Sequence, residues 1–241
     1  MTGSLVIAPR FCGPPDCGNG GYVCGLIAAY LDGQAEITLR RPPPLATPMA
    51  VERHGKGSVR VLDGRTLVAE GTCSPGSLAM ELPGPVSIQE ARTAGSRSRL
   101  RAHPEEHPFP ACFVCGPDRG PGDGLRIMPG RVAGGDLSAD VWCPDETLAG
   151  PDGNLRPEFL WAALDCTGGI GALGDTAPNG PPIVLGRLSA RQTGPVKTGE
   201  PHVVAGWRLA EDGRKILAGS ALFTATGRAV GAARATWIRL G

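Results

Sequence analysis

Two short stretches of this chain hold residues suited to carbonyl chemistry. Asn19-Gly20-Gly21-Tyr22 opens a stretch of helical apolar spacing. A helix starting there presents unpaired backbone N–H groups and the positive end of its dipole. Gly20 and Gly21 let a carbonyl oxygen come close, and the N–H of Gly21 or Tyr22 can stabilise an oxyanion. Asp165 stands at the end of a second such stretch, Arg156 to Asp165, where a carboxylate can serve as general base for water or as nucleophile. Thr167 is an orienting hydroxyl beside it. The plainer roles are that Asn19 caps its helix, that Gly20-Gly21 forms a turn, and that Asp165 finishes a helix near Gly168-Gly169.

His103, His107, Cys112 and Cys115 form another constellation, H-x3-H-x4-C-x2-C, a spacing that suits tetrahedral zinc. No second cluster enlarges it, since Cys12 and Cys17 are more loosely spaced. The two cysteines are therefore read as buried, reduced thiols on a strand, and no metal is expected.

These residues need elements to position them. Tyr22, Val23, Leu26, Ile27 and Tyr30 give a helix over residues 19 to 31, with Gly33 placed as its stop. Residues 36 to 41 alternate as a strand that must end at Pro42-Pro43-Pro44. Asp63-Gly64 marks a tight hairpin between two apolar runs. Residues 75 to 110 read as a connector with one short helix, where Ser87 and Glu90 have capping-box spacing. Beyond it, strands are expected at 124 to 128 and 137 to 142, and a helix opens on Pro157. A Gly- and Pro-rich excursion (168 to 182) leads into strands at 183 to 191, 202 to 210, 214 to 225 and 229 to 239. Helix followed by antiparallel strands, occurring twice, is an α+β pattern. The clearest internal match pairs residues 59 to 69 with residues 207 to 217. It divides the chain into a first repeat at 1–75, a linker at 76–107 and a second repeat at 108–241.

The 241 residues carry 37 glycines and 24 prolines but gather their apolar side chains in periodic runs, which indicates many turns in a packed, sheet-rich protein. A net charge of +1 gives no reason to expect nucleic acid or an anionic membrane as a partner. The basic cluster Arg92, Arg97, Arg99 and Arg101 reads as a solvated linker or as a contact for substrate phosphates. No apolar run reaches the length of a membrane span, and no signal peptide is evident, so a cytoplasmic protein with eight reduced cysteines is expected. There is no Walker loop, dinucleotide glycine fingerprint or Gly-x-Ser-x-Gly elbow.

The doubled helix-and-sheet pattern resembles the double hotdog arrangement of the acyl-CoA thioesterase superfamily. The string from His107 through Cys112-Phe113-Val114-Cys115-Gly116 to Ile127 looks like the opening strand of such proteins. In the phenylacetate-type branch a His-Gly-Gly opens the helix and an Asp follows nine residues after the His. Here Asn19-Gly20-Gly21 is followed at that distance by Ala28, and Arg156-Pro157-Glu158 by Asp165. Nine helical residues span roughly 13.5 Å, so neither helix can bring its own start and its own ninth residue to one reacting carbon. The resemblance implies antiparallel helices, so that the start of one meets the far part of the other. It then implies one composite site, with Asp165 as base or nucleophile, Asn19, Gly21 and Tyr22 in catalytic positions, and Gly20 and Thr167 binding substrate. A second site, facing Ala28, Pro157 and Glu158, would be dead. Hydrolysis of an acyl-CoA or carrier-bound acyl thioester is the implied activity, with coenzyme A present only as part of the substrate and no cofactor. The alternative is an inactive protein that binds thioesters. No hydratase motif accompanies the acid, as Ile170 stands five residues beyond Asp165. The fold leaves further pairing, into a homodimer of double hotdogs, open.

Overall fold

The protein is described by a computed structural model over residues 2–174 and 180–241. Eleven strands form one antiparallel sheet: β1 (Thr2–Leu5), β2 (Ala35–Leu39), β3 (Met49–His54), β4 (Ser58–Asp63), β5 (Thr66–Cys73), β6 (Gly130–Arg131), β7 (Ser138–Trp142), β8 (Ile183–Gln192), β9 (His202–Asp212), β10 (Lys215–Thr224) and β11 (Ala229–Arg239). Their spatial order is β1-β3-β4-β5-β2-β8-β11-β10-β9-β7-β6. Four α-helices accompany them among the described residues: α1 (Gly20–Ala28), α2 (Ile88–Ser96), α3 (Arg99–Ala102) and α4 (Pro157–Leu173).

The connectivity is the same on either side of the β2–β8 seam. After α1 come β2, β3, β4 and β5, arranged β3-β4-β5-β2; after α4 come β8, β9, β10 and β11, arranged β9-β10-β11-β8. The strand preceding each helix flanks the second strand after it, β1 on β3 and β7 on β9. The hairpins matched by sequence, β4–β5 and β9–β10, do not occupy equivalent places in this order. Both turn on glycines at positive φ, Gly64 and Gly213, and turn chemistry is what the two sequences share.

Helix α4 is apolar on nearly all sides and buries Phe159 through Gly169 together with Gly171 and Ala172. It lies over the second half of the sheet and against α1. It does not stop near Gly168-Gly169, as its glycines suggest. A Cβ on Gly171 would fall 2.3 Å from the Gly206 backbone, so absent side chains are what let the helix settle onto β9. Along β9, Val204 joins this core while Val203 and Ala205 face the other way, where α2 covers them. The connector is thus a docked helix on the opposite face, and the expected capping box between Ser87 and Glu90 starts it.

Residues 107 to 129 contain no strand, contrary to expectation for both 107–116 and 124–128. The segment turns back on itself, with the N–H groups of Leu125 and Ile127 donating to the carbonyls of Phe113 and Val114. Of the excursion at 168 to 182, residues 175–179 lie outside the described residues.

Candidate active site

The start of α1 meets the middle of α4. A Cβ on Gly21 would come within 2.4 Å of the Asp165 Cβ, and one on Gly25 within 2.6 Å of the Glu158 Cα, so α4 runs backwards along α1. With so little between the backbones, the Gly21 N–H donates to Asp165 Oδ2 at 2.7 Å. Asp165 is 1% exposed, and its Oδ1 has no partner among the described residues. Burial pushes this carboxyl well above the usual carboxylate range; the Gly21 N–H opposes the rise and the neighbouring Cys112 adds to it.

Asn19 caps α1. Its Oδ1 accepts from the Tyr22 N–H at 2.9 Å, and its Nδ2 points to the sulfurs of Cys166 at 3.6 Å and Cys112 at 3.8 Å. The two amides expected to hold an oxyanion are thus engaged, Gly21 with Asp165 and Tyr22 with Asn19. Among the described residues the Gly20 N–H has no partner, and Gly20 lines the cleft. The Tyr22 ring stacks on Phe11 at 4.1 Å between centroids, inside an aromatic cluster with Phe113 and Phe159.

Thr167 is not brought to this site. Two residues along a helix is a rotation of about 200°, so it turns from Asp165 toward the sheet. It is fully buried there, its carbonyl against Gly206. Ala28, Pro157 and Glu158 do not line the cleft either; Glu158 sits 3.6 Å from Arg156 in an ion pair.

The cleft itself holds about 950 Å³ at the seam between the two halves of the sheet. Asn19, Gly20, Cys112, Asp165 and Cys166 contribute to one wall, and Leu39, Leu185 and Trp237 supply apolar surface. Arg40, Arg41, Arg99, Arg131 and Arg239 also line it. Four of these pair with carboxylates, namely Arg40 with Glu70, Arg99 with Glu106, Arg131 with Asp136 and Arg239 with Glu211, while Arg41 has no ion pair among the described residues. Of the basic cluster noted in the sequence, Arg99 therefore reaches the cleft, and Arg101 instead pairs with the buried Asp140 at 2.6 Å.

The four residues whose spacing suits zinc do not come together as a quartet. His103 is half-exposed beside Glu105, away from the cysteines. In its place stands Cys166, the neighbour of Asp165, whose sulfur groups with those of Cys112 and Cys115. No spacing rule could have found Cys166, because 50 residues separate it from Cys115 and only the packing of α4 on the 107–116 loop unites them.

No protein-family model and no curated protein sequence matches the chain. Solved structures do. A tesB protein of Mycobacterium avium subs paratuberculosis superimposes with a TM-score of 0.62 at 12% identity, over 100% of this chain and 93% of that one. The acyl-CoA thioesterase II TesB2 of Mycobacterium marinum gives 0.62 at 13% identity, over 99% and 93%. Along its whole length the chain has the fold of the thioesterase II structures, a large antiparallel sheet packed with helices. At 12–13% identity that likeness is one of fold. No helix of the described residues is long and apolar enough to cross a membrane.

Proposed function

We propose that the protein is a thioester hydrolase built from two hotdog repeats, acting on an acyl-CoA or carrier-bound acyl group at a single composite site. One observation carries the reading: Asp165 of α4 is held by the Gly21 N–H of α1 on the wall of the cleft, with its second carboxylate oxygen unpartnered among the described residues. The anchored oxygen fixes the carboxyl, and Oδ1 takes the proton of an attacking water or attacks the carbonyl carbon directly. The thioester oxygen is received by the start of α1, at the Gly20 N–H rather than at the amides of Gly21 and Tyr22. The helix dipole stabilises the charge that develops there. Arg41 and the paired arginines of the cleft supply a cationic border for the phosphates of coenzyme A.

The test is thiol release from a panel of aliphatic and aryl acyl-CoAs. Asp165→Asn keeps an oxygen for Gly21 but loses the base, and should lower kcat by about 100-fold or more, on the order of 3 kcal/mol. Glu158→Gln should leave it unchanged. Binding of the panel without any thiol release would make the protein an inert thioester binder, and equal losses in the two variants would refute the single site.

A further inference from the structure

The loop from His107 to Gly116 and the neighbour of Asp165 on α4 together enclose sulfur. The Sγ atoms of Cys112, Cys115 and Cys166 all lie within 4.8 Å of one another, and all three residues are buried. Cys112 and Cys166 stand 3.9 Å apart. Zinc–sulfur bonds of about 2.3 Å in a tetrahedron set their sulfurs about 3.8 Å apart; Cys112 and Cys166 already have that spacing, and Cys115 lies within about an ångström of it. They are too far apart for an existing disulfide, and every cysteine of the chain is free.

The loop has the further features that a thiolate–metal site requires. Cys112-Phe113-Val114-Cys115-Gly116 turns so tightly that a Cβ on Gly116 would strike the Cys112 carbonyl at 2.5 Å. The Gly116 N–H closes the turn onto that carbonyl at 2.9 Å. The Cys112 sulfur is buried, with the Cys166 sulfur 3.9 Å away. The Asn19 amide also faces it. His107 Nε2 lies 3.3 Å from the Cys115 sulfur, while its Nδ1 accepts from the Phe109 N–H at 2.9 Å. The ring's proton is therefore on Nε2, and His107 donates to sulfur rather than binding metal. No Arg or Lys contacts this group among the described residues, which leaves a metal cation free of competition for the three sulfurs. Soft thiolates in a tetrahedral setting select zinc among common divalent ions.

We propose that Cys112, Cys115 and Cys166 bind one Zn²⁺, with Asn19 and His107 as outer hydrogen-bond donors and the fourth position open to the cleft. The ion ties the loop to the turn of α4 that carries Asp165. Its test does not depend on hydrolysis, so it stands or fails separately from the proposed activity.

Protein purified without a metal-affinity step should carry about one equivalent of zinc. Stripped by chelator under reducing conditions, it should take up one equivalent of Co²⁺ with the d–d bands of tetrahedral cobalt and a thiolate charge-transfer band. Cys166→Ser should weaken Zn²⁺ binding by more than about 100-fold, beyond the usual effect of outer-shell changes. Cys73→Ser, outside the group, should leave it unchanged. Reduced wild-type protein that binds neither ion, or binds Co²⁺ without the charge-transfer band, overturns the proposal, as does undiminished binding in Cys166→Ser. Because the cobalt spectrum is read on the wild type, misfolding of the variant cannot shield the idea.

Discussion

Residue 21 has no room for even a methyl group. A Cβ there would lie 2.4 Å from the Asp165 Cβ and 2.6 Å from the Trp161 carbonyl oxygen, both on a helix that is itself locked against the sheet. Gly21→Ala must therefore part the two helices, and overpacking of this kind costs roughly 1–3 kcal/mol. Thermal denaturation should show a Tm several degrees lower, since each kcal/mol moves a chain of this size by about 2–4 °C. Gly57→Ala, which meets nothing within 4 Å, is the comparison that should not move. The same displacement would take Asp165 off its amide, so the proposed hydrolysis should fall with it. The Gly-Gly pair was visible in the sequence as a place where an oxygen could come close; the group that comes close in this structure is the acid itself.

At the scale of elements, an ion pair between Arg101 and Asp140 ties α3 to β7. Asp140 is buried and accepts from the amides of Met128 and Val141, both at 2.9 Å, as well as from Arg101. Burial raises its carboxyl above the ordinary value even though Arg101 works the other way. Arg101→Met leaves that carboxylate with amides alone and should lower stability by about 2 kcal/mol, less than for a wholly buried pair because Arg101 is a third exposed. The urea midpoint measures it, and Arg92→Met, an exposed neighbour, should have no effect. Elements whose character is local were readable in the sequence. The apolar spacing of Tyr22 to Ile27 marked α1, Ser87 and Glu90 marked the start of α2, and alternation marked β8 to β11. Elements whose character depends on what covers them were not. Gly168 to Gly171 read as a break because glycine disfavours helix, yet the sheet beneath α4 requires small residues there. Residues 124 to 128 are apolar enough for a strand but find their partners in a loop. The hairpins at 59–69 and 207–217 matched because turns constrain sequence more tightly than position in a sheet does.

For the molecule as a whole, the response to acid divides between groups of opposite sign. The raised carboxyls of Asp165 and Asp140 favour the folded state as the pH falls, and two buried histidines oppose it. His202 is 2% exposed at the start of β9, where its Nδ1–H donates to the Glu200 carbonyl at 2.9 Å. Burial lowers its pKa from the ordinary 6.5, and His107 is lowered for the same reason. At these two rings the unfolded chain binds protons more readily than the folded one. The stability these rings contribute is complete above about pH 6.5 and is lost as the pH falls below it. Between pH 7 and pH 5 the wild-type denaturation midpoint should fall relative to that of His202→Gln, which lacks one of the two rings. A slope unchanged by the substitution would locate the acid response elsewhere.

The seam between the two halves rests on three residue pairs, Glu36 with Ser189, Ile37 with Leu188 and Thr38 with Arg187, beside the contact of α1 with α4. In two separate chains so short a strand contact would form and part with dilution. Covalent linkage makes the encounter of the two helices intramolecular, at an effective concentration set by the segment between them rather than by how much protein is present. Assembly of the cleft is therefore a first-order event, and a single molecule carries both of its walls.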